Sequence, residues 1–181
     1  MPSTKVIIRP PVRADCDAFI SAVQRSVALH GAWIAPKART PKEFEKYLER
    51  FASGSHHGFL VIQRGSGGIA GVININDVIR GAFQSASLGY YAFEPYAGQG
   101  LMYGGMLLVL QHAFTKLKLH RLEANIQPEN LSSIALVKKC GFVREGLSRR
   151  MLKVQGRWRD HERWAILGED FLNQMRKAKT L

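Results

Sequence analysis

The sequence predicts one mixed α/β domain, with a sheet that is mostly antiparallel and helices flanking it. Three observations predict this class. Along the 181 residues, stretches with a helical apolar period alternate with short runs rich in strand formers, without any repeat or low-complexity segment. Residues 59–93 read as three consecutive strands joined by glycine-containing turns, which makes them antiparallel. A helical stretch then separates the strand at 86–93 from one at 120–126, and a helix crossover makes those two parallel.

Each element follows from local signals. Residues 4–9 read as a short strand, stopped by Pro10 and Pro11. Asp15 is placed to cap a helix whose apolar face is Phe19, Ile20, Val23 and Val27, ending at Gly31. Thr40-Pro41-Lys42-Glu43 is a capping box with proline at the first helical position. Phe44, Tyr47, Leu48 and Phe51 continue that helix to Ser53-Gly54. Strands follow at 59–63, 69–79 and 86–93. From Gly100 the apolar positions 102, 106, 109, 110, 113 and 117 mark a helix. Residues 120–126 form a strand, and Asn130 caps a helix that stops at Gly141. Residues 142–146 and 148–154 then lead through a Gln155-Gly156 turn into a long strand at 157–167, and a short polar helix closes the chain.

Composition narrows the function. No apolar run reaches the roughly 18 residues of a membrane span, and the start does not read as a signal peptide. The two cysteines, Cys16 and Cys140, are far apart and lack metal spacing, as expected of a reducing, cytoplasmic setting. The six histidines fall outside metal-binding patterns, so no metal is expected. The formal net charge of +12 attracts polyanions: nucleic acid, anionic lipid or a phosphorylated small molecule. Residues 138–163 hold nine Lys/Arg against three Asp/Glu, so one basic face is expected.

The stretch YAGQGLMYGGM, residues 96–106, lies between a strand and a helix. A helix start exposes unpaired N–H groups, and glycines ahead of it let an anion approach. The backbone of Gly98, Gln99, Gly100, Leu101 and Met102 therefore reads as a pyrophosphate cradle, or as a sharp turn that needs glycine for its dihedral angles. No Lys-Ser/Thr follows, which argues against an ATP or GTP P-loop. A dinucleotide fingerprint fails at its third glycine, where Tyr103 stands.

These residues resemble the Gcn5-related N-acetyltransferases (GNAT), and within them the RimJ/RimL-type enzymes that acetylate the N-termini of ribosomal proteins. The acetyl-CoA loop of that family has the form [Q/R]-x-x-G-x-[G/A]; here it reads Ala97-Gly98-Gln99-Gly100-Leu101-Met102. Ala97 replaces the usual Gln/Arg, and Met102 matches the G-x-G-x-M of the Rim-type branch. HRLEANIQPENLSSIALVKKCGF (120–142) and GRWRDHERWAIL (156–167) resemble two further blocks, so the likeness runs from about residue 5 to 168 of what reads as a single domain over 1–181. The resemblance implies a GNAT-like domain whose central parallel strands splay apart around acetyl-CoA. It implies that Tyr91, Ala92 and Phe93 offer backbone groups to the pantetheine arm, that Asn130 holds the arm from the other side, and that Ser133 stands near the sulfur. It also implies that the acceptor enters past His30 and Trp33.

Acetyl transfer to an amine needs a neutral amine, donors for the developing oxyanion and a proton for the departing thiolate. An α-amine, with a pKa of about 7.7–8.0, is deprotonated at pH 7 for about 1–1.4 kcal/mol, whereas lysine costs about 4.6. No unambiguous base stands out, which favours a protein N-terminus or a small amine. Strand alternation groups Trp158, Asp160, Glu162, Trp164 and Ile166 on one side, and Arg157, Arg159, His161 and Arg163 on the other. Asp160 is the candidate base, drawn toward the core, or a structural carboxylate paired with arginine. Ser133 is the candidate donor to the leaving group. The alternative reading is a basic, aromatic module that docks on RNA or the ribosome without catalysis.

Overall fold

The computed structural model describes residues 5–31, 33, 34, 36 and 38–177. The element order is the expected one, with local differences. A seven-stranded sheet runs β1 (Val6–Arg9), β2 (His57–Gln63), β3 (Ile69–Ile79), β4 (Ser85–Ala92), β5 (Arg121–Ile126), β7 (Arg157–Leu167) and β6 (Val143–Val154) across its width. Every neighbouring pair is antiparallel except β4 and β5. Their parallel pairing runs from Ser85–Arg121 to Leu88–Ala124 and stops, although β4 continues to Ala92 and β5 to Ile126. The sheet therefore forks at its centre.

The helices are α1 (Cys16–Arg25), α2 (Val27–His30), α3 (Pro41–Glu49), α4 (Leu101–Thr115), α5 (Leu131–Lys139) and α6 (Gly168–Lys177). α4, α5 and α6 pack on one face of the sheet, around Met106, Leu110, Val137 and Phe171. α1 and α3 pack on the other, where Phe19, Val23, Phe44 and Tyr47 meet Leu60, Ile62, Val72 and Phe93. That second layer rests on residues of β2, β3 and the end of β4. β2 is accordingly buried on both faces, and the open part of the second face, over β4, β5, β7 and β6, becomes a cleft.

The capping box forms as the sequence predicts. Thr40 Oγ1 accepts the Glu43 N–H at 3.3 Å and donates to the Glu43 carboxylate at 3.0 Å. Two expectations at the first helix are corrected. Asp15 makes no cap bond to α1; its carboxylate accepts the Val12 N–H at 2.8 Å and binds the Arg9 guanidinium at 2.5 and 2.7 Å, which closes a 3-10 turn at Arg13–Asp15. The helix also breaks at Ser26, whose hydroxyl donates to the Ala22 carbonyl at 2.7 Å and accepts the Glu94 N–H at 2.9 Å. The break leaves Val27 exposed, not on the apolar face. Cys140 is a buried free thiol whose pKa burial pushes up to about 12, so it acts as a small core residue.

The Arg9 hydrogen bond, against an opposing burial effect, holds the Asp15 carboxyl below its usual range, helped by the Val12 N–H. A depressed acid stabilises the fold above its unfolded pKa, about 3.9, and that contribution fades as pH falls through the folded value. The wild type should resist urea less on acidification below about pH 4. Asp15→Asn should be less stable at neutral pH and flatter across that limb.

Candidate active site

The fork between β4 and β5 opens directly onto the start of α4. Gly98 and Gly100 both have φ of +75°, the left-handed region that favours glycine. A side-chain carbon added at either would meet no protein atom within 4 Å, so the space before them is open. Gly100 begins α4 with no side-chain cap, and the first turn holds no acidic residue. The N–H groups of Leu101, Met102 and Tyr103 lack intrahelical partners by helix geometry and point into that space with the positive end of the helix dipole. Gly71 of β3 makes room for Met102, whose sulfur occupies the place of a β-carbon there.

β4 presents its free edge to the gap. The Phe93 N–H donates to the Ala70 carbonyl at 2.8 Å, toward β3. Strand alternation turns the backbone groups of Tyr90 and Ala92 the other way, toward the gap. The Ala92 carbonyl accepts His30 Nε2–H at 2.9 Å, which leaves the Ala92 N–H and the Tyr90 backbone. Of the expected trio, then, Tyr91 and Ala92 line the cleft, while Phe93 is fully buried with its ring among those of Phe19, His30 and Tyr91. Ala97, Gly98, Gly100, Leu101 and Met102 also line it. Gln99 does not; its side chain donates to the Pro95 carbonyl at 2.8 Å.

α5 brings polar groups to the opposite wall. Asn130 Oδ1 accepts the Ser133 N–H and the Ser132 hydroxyl, both at 3.1 Å, so the predicted cap forms at the cleft. Ser133 Oγ lies 2.6 Å from the Tyr90 hydroxyl. Burial raises the Tyr90 pKa well above the usual phenol range, so it carries its proton at any physiological pH. Sequence reasoning missed Tyr90, because 43 residues separate it from Ser133. It also missed Lys139, whose ammonium stands 4.5 Å over the Tyr103 ring at the mouth of the cleft.

The cleft encloses about 1340 Å³, and His30, Trp33 and Ile34 are among the residues that line it. Gln127 Nε2 donates to the Trp33 carbonyl at 3.3 Å, and Gln155 Nε2 to the Gly31 carbonyl at 2.7 Å, so the residue after β5 and the β6–β7 turn both hold the segment that follows α2. Burial lowers the His30 pKa, which keeps the ring neutral near pH 7.

On β7 the expected orientation is reversed. Asp160 is exposed, and its carboxylate accepts the Arg150 N–H at 2.7 Å. His161 is buried, lines the cleft and donates from Nδ1 to the Arg159 carbonyl at 3.0 Å. That carbonyl can only accept, so in the neutral ring Nε2 is the nitrogen with the lone pair. Alternation itself holds; the face that looks into the cleft is the one with His161. Glu123 lines the cleft but is tied to Arg121 at 2.9 Å. Among the described residues, no three His, Cys, Asp or Glu side chains group as a metal site, and no helix is long and apolar enough to cross a membrane.

The family model for the acetyltransferase (GNAT) domain matches residues 5–143. The chain belongs to the GNAT acetyltransferase family. It is 36% identical over 129 residues, 71% of each chain, to the probable N-acetyltransferase YjcK of Bacillus subtilis. It is 34% identical over 103 residues to the [ribosomal protein uS5]-alanine N-acetyltransferase of Escherichia coli, a match that spans 57% of this chain and 53% of that protein. Among solved structures, Mycobacterium smegmatis RimJ in complex with CoA-disulfide superposes with a TM-score of 0.84 at 28% identity, covering 91% of this chain and 83% of that one. The chain is thus a GNAT N-acetyltransferase that uses acetyl-CoA. The fork and the unobstructed glycine cradle of this GNAT domain fit that substrate, with donors for a diphosphate at one end and an unpaired strand edge beside it.

Proposed function

We infer that this enzyme acetylates the N-terminal α-amine of a protein by direct attack in a ternary complex. Similar proteins divide between two acceptor classes: the E. coli relative is named for ribosomal protein uS5 alanine, and a Vibrio cholerae relative is named a spermidine N(1)-acetyltransferase. One observation favours the first class. Among the described residues, the only carboxylates lining the cleft are Asp77 and Glu123. Glu123 shares the Arg121 guanidinium with Glu145, and Asp77 lies within the bulge of β3, 4.0 Å from His56. A polyamine, with several positive charges, finds little there to hold it. An α-amine needs no strong base.

In this reading the amides at Gly98–Met102 bind the diphosphate. The Ala92 N–H and Tyr90 backbone receive the pantetheine arm, with Asn130 opposite. The cosubstrate supplies the thioester. Ser133 gives a proton or hydrogen bond to the departing sulfur, and Tyr90 holds the Ser133 hydroxyl in place. His161, with Nε2 as acceptor in the cleft wall, replaces Asp160 as the group that takes the proton of the amine. His30 and Trp33 shape the entrance.

The test is incubation with acetyl-CoA and a mixture of peptides with free N-termini, lysine side chains and spermidine, read by fragment mass spectrometry. One acetyl group should appear on the α-amine. Acetylation confined to lysine ε-amines or to spermidine refutes the assignment.

A further inference from the structure

The register of the β6–β7 hairpin pairs Val154 with Arg157, Leu152 with Arg159 and Ser148 with His161. Directly paired residues share one face of a sheet. Val154, Leu152 and His161 line the cleft, so Arg157 and Arg159 rise from the cleft-facing side of the same wall. Both are exposed, and neither has a carboxylate partner among the described residues. Asp160, the one acid at the hairpin end, sits on the opposite face, bound to the Arg150 amide. The Gln155–Gly31 hydrogen bond fixes this end of the hairpin beside the end of α2 at His30 and the following Trp33.

We propose that Arg157 and Arg159 form a subsite for acidic side chains of the acceptor peptide, so that the protein N-termini this enzyme selects carry Asp or Glu at about the third and fifth positions. The inference rests on the N-terminal reading above. An extended peptide rises about 3.3 Å per residue, as β7 does. With its amine at His161 and its chain running along β7 toward the turn, the third residue comes level with Arg159 and the fifth with Arg157. Alternate side chains of an extended peptide face the same way, so both acids address the arginines together. Arginine binds carboxylates in two-pronged fashion and repels a lysine at the same place.

The experiment compares two peptides that differ only in Glu or Lys at positions three and five. The wild type should favour the Glu peptide in kcat/KM by roughly fivefold to tenfold at low salt, the scale of two exposed ion pairs, and less at high salt. The Arg157→Glu/Arg159→Glu variant should reverse that preference while binding acetyl-CoA as the wild type does in calorimetry, which shows that it folds. Equal rates on both peptides, acetylated at the α-amine, overturn the subsite and leave the N-terminal reading standing. Acetylation of spermidine with neither peptide modified overturns both. If charge reversal removes binding of a single-stranded RNA oligonucleotide and leaves the peptide ratio unchanged, the arginines serve nucleic acid and the proposal falls.

Discussion

Gly100→Asp should abolish measurable acetyl-CoA binding, while Gly100→Asn should weaken it only about tenfold, a loss of about 1.4 kcal/mol. Both replacements are nearly the same size, and both tolerate the left-handed conformation that Gly100 adopts at φ +75°. Neither β-carbon meets protein, since nothing lies within 4 Å of that position. The fold therefore survives either change, and thermal melting should confirm it. The two variants differ only in charge at the open start of α4. Asparagine costs the space a phosphate needs. Aspartate adds a like charge beside a diphosphate and cancels the helix-end field, so its loss should exceed a hundredfold. Isothermal calorimetry with acetyl-CoA decides it. Equal affinities for the two variants would show that no anion sits at this helix start.

Local signals made most of the fold legible. The Thr40 box, the Asn130 cap and the glycine junction each sit within a few residues of the backbone they shape, and each stands where the spacing put it. The parallel pair followed from the helix crossover between its strands. What stayed hidden depends on distant partners. Asp15 reads as a cap until Arg9 is seen to reach it, and Ser26 breaks a helix because Glu94 comes to its hydroxyl from 68 residues away. Along β7, alternation separated His161 from Asp160 correctly, yet it could not tell which face meets the cleft. Apolar burial points both ways there: Trp164, Ala165 and Ile166 are all buried, although neighbouring side chains alternate between the two faces. Toward the turn the strand runs beyond the core, where Trp158 is 60% exposed, so its large apolar ring gave the wrong cue for Asp160.

The coupling of Tyr90 to Ser133 should appear as a failure of additivity. Ser133→Ala should lower kcat about a hundredfold, the low end of what a general acid contributes, with little change in KM for acetyl-CoA. Tyr90→Phe keeps the ring in the cleft wall and removes only the hydroxyl, 2.6 Å from Ser133 Oγ. Either hydroxyl can donate across this contact, and the coupling expected here requires the phenol to donate and the serine oxygen to accept. The hydrogen of Ser133 is then free to turn toward the sulfur. Without the phenol that hydroxyl rotates, and kcat should fall about tenfold on the strength of one lost orienting bond. If Tyr90 acts only through Ser133, the double variant should be no slower than Ser133→Ala alone. A structural role would make the two losses multiply, and would move thermal stability or cofactor affinity along with the rate. Slow hydrolysis of acetyl-CoA without amine, in which water attacks the thioester and acetate and the thiol are released, repeats the cycle independently of the peptide, so the outcome stands whichever amine the enzyme prefers.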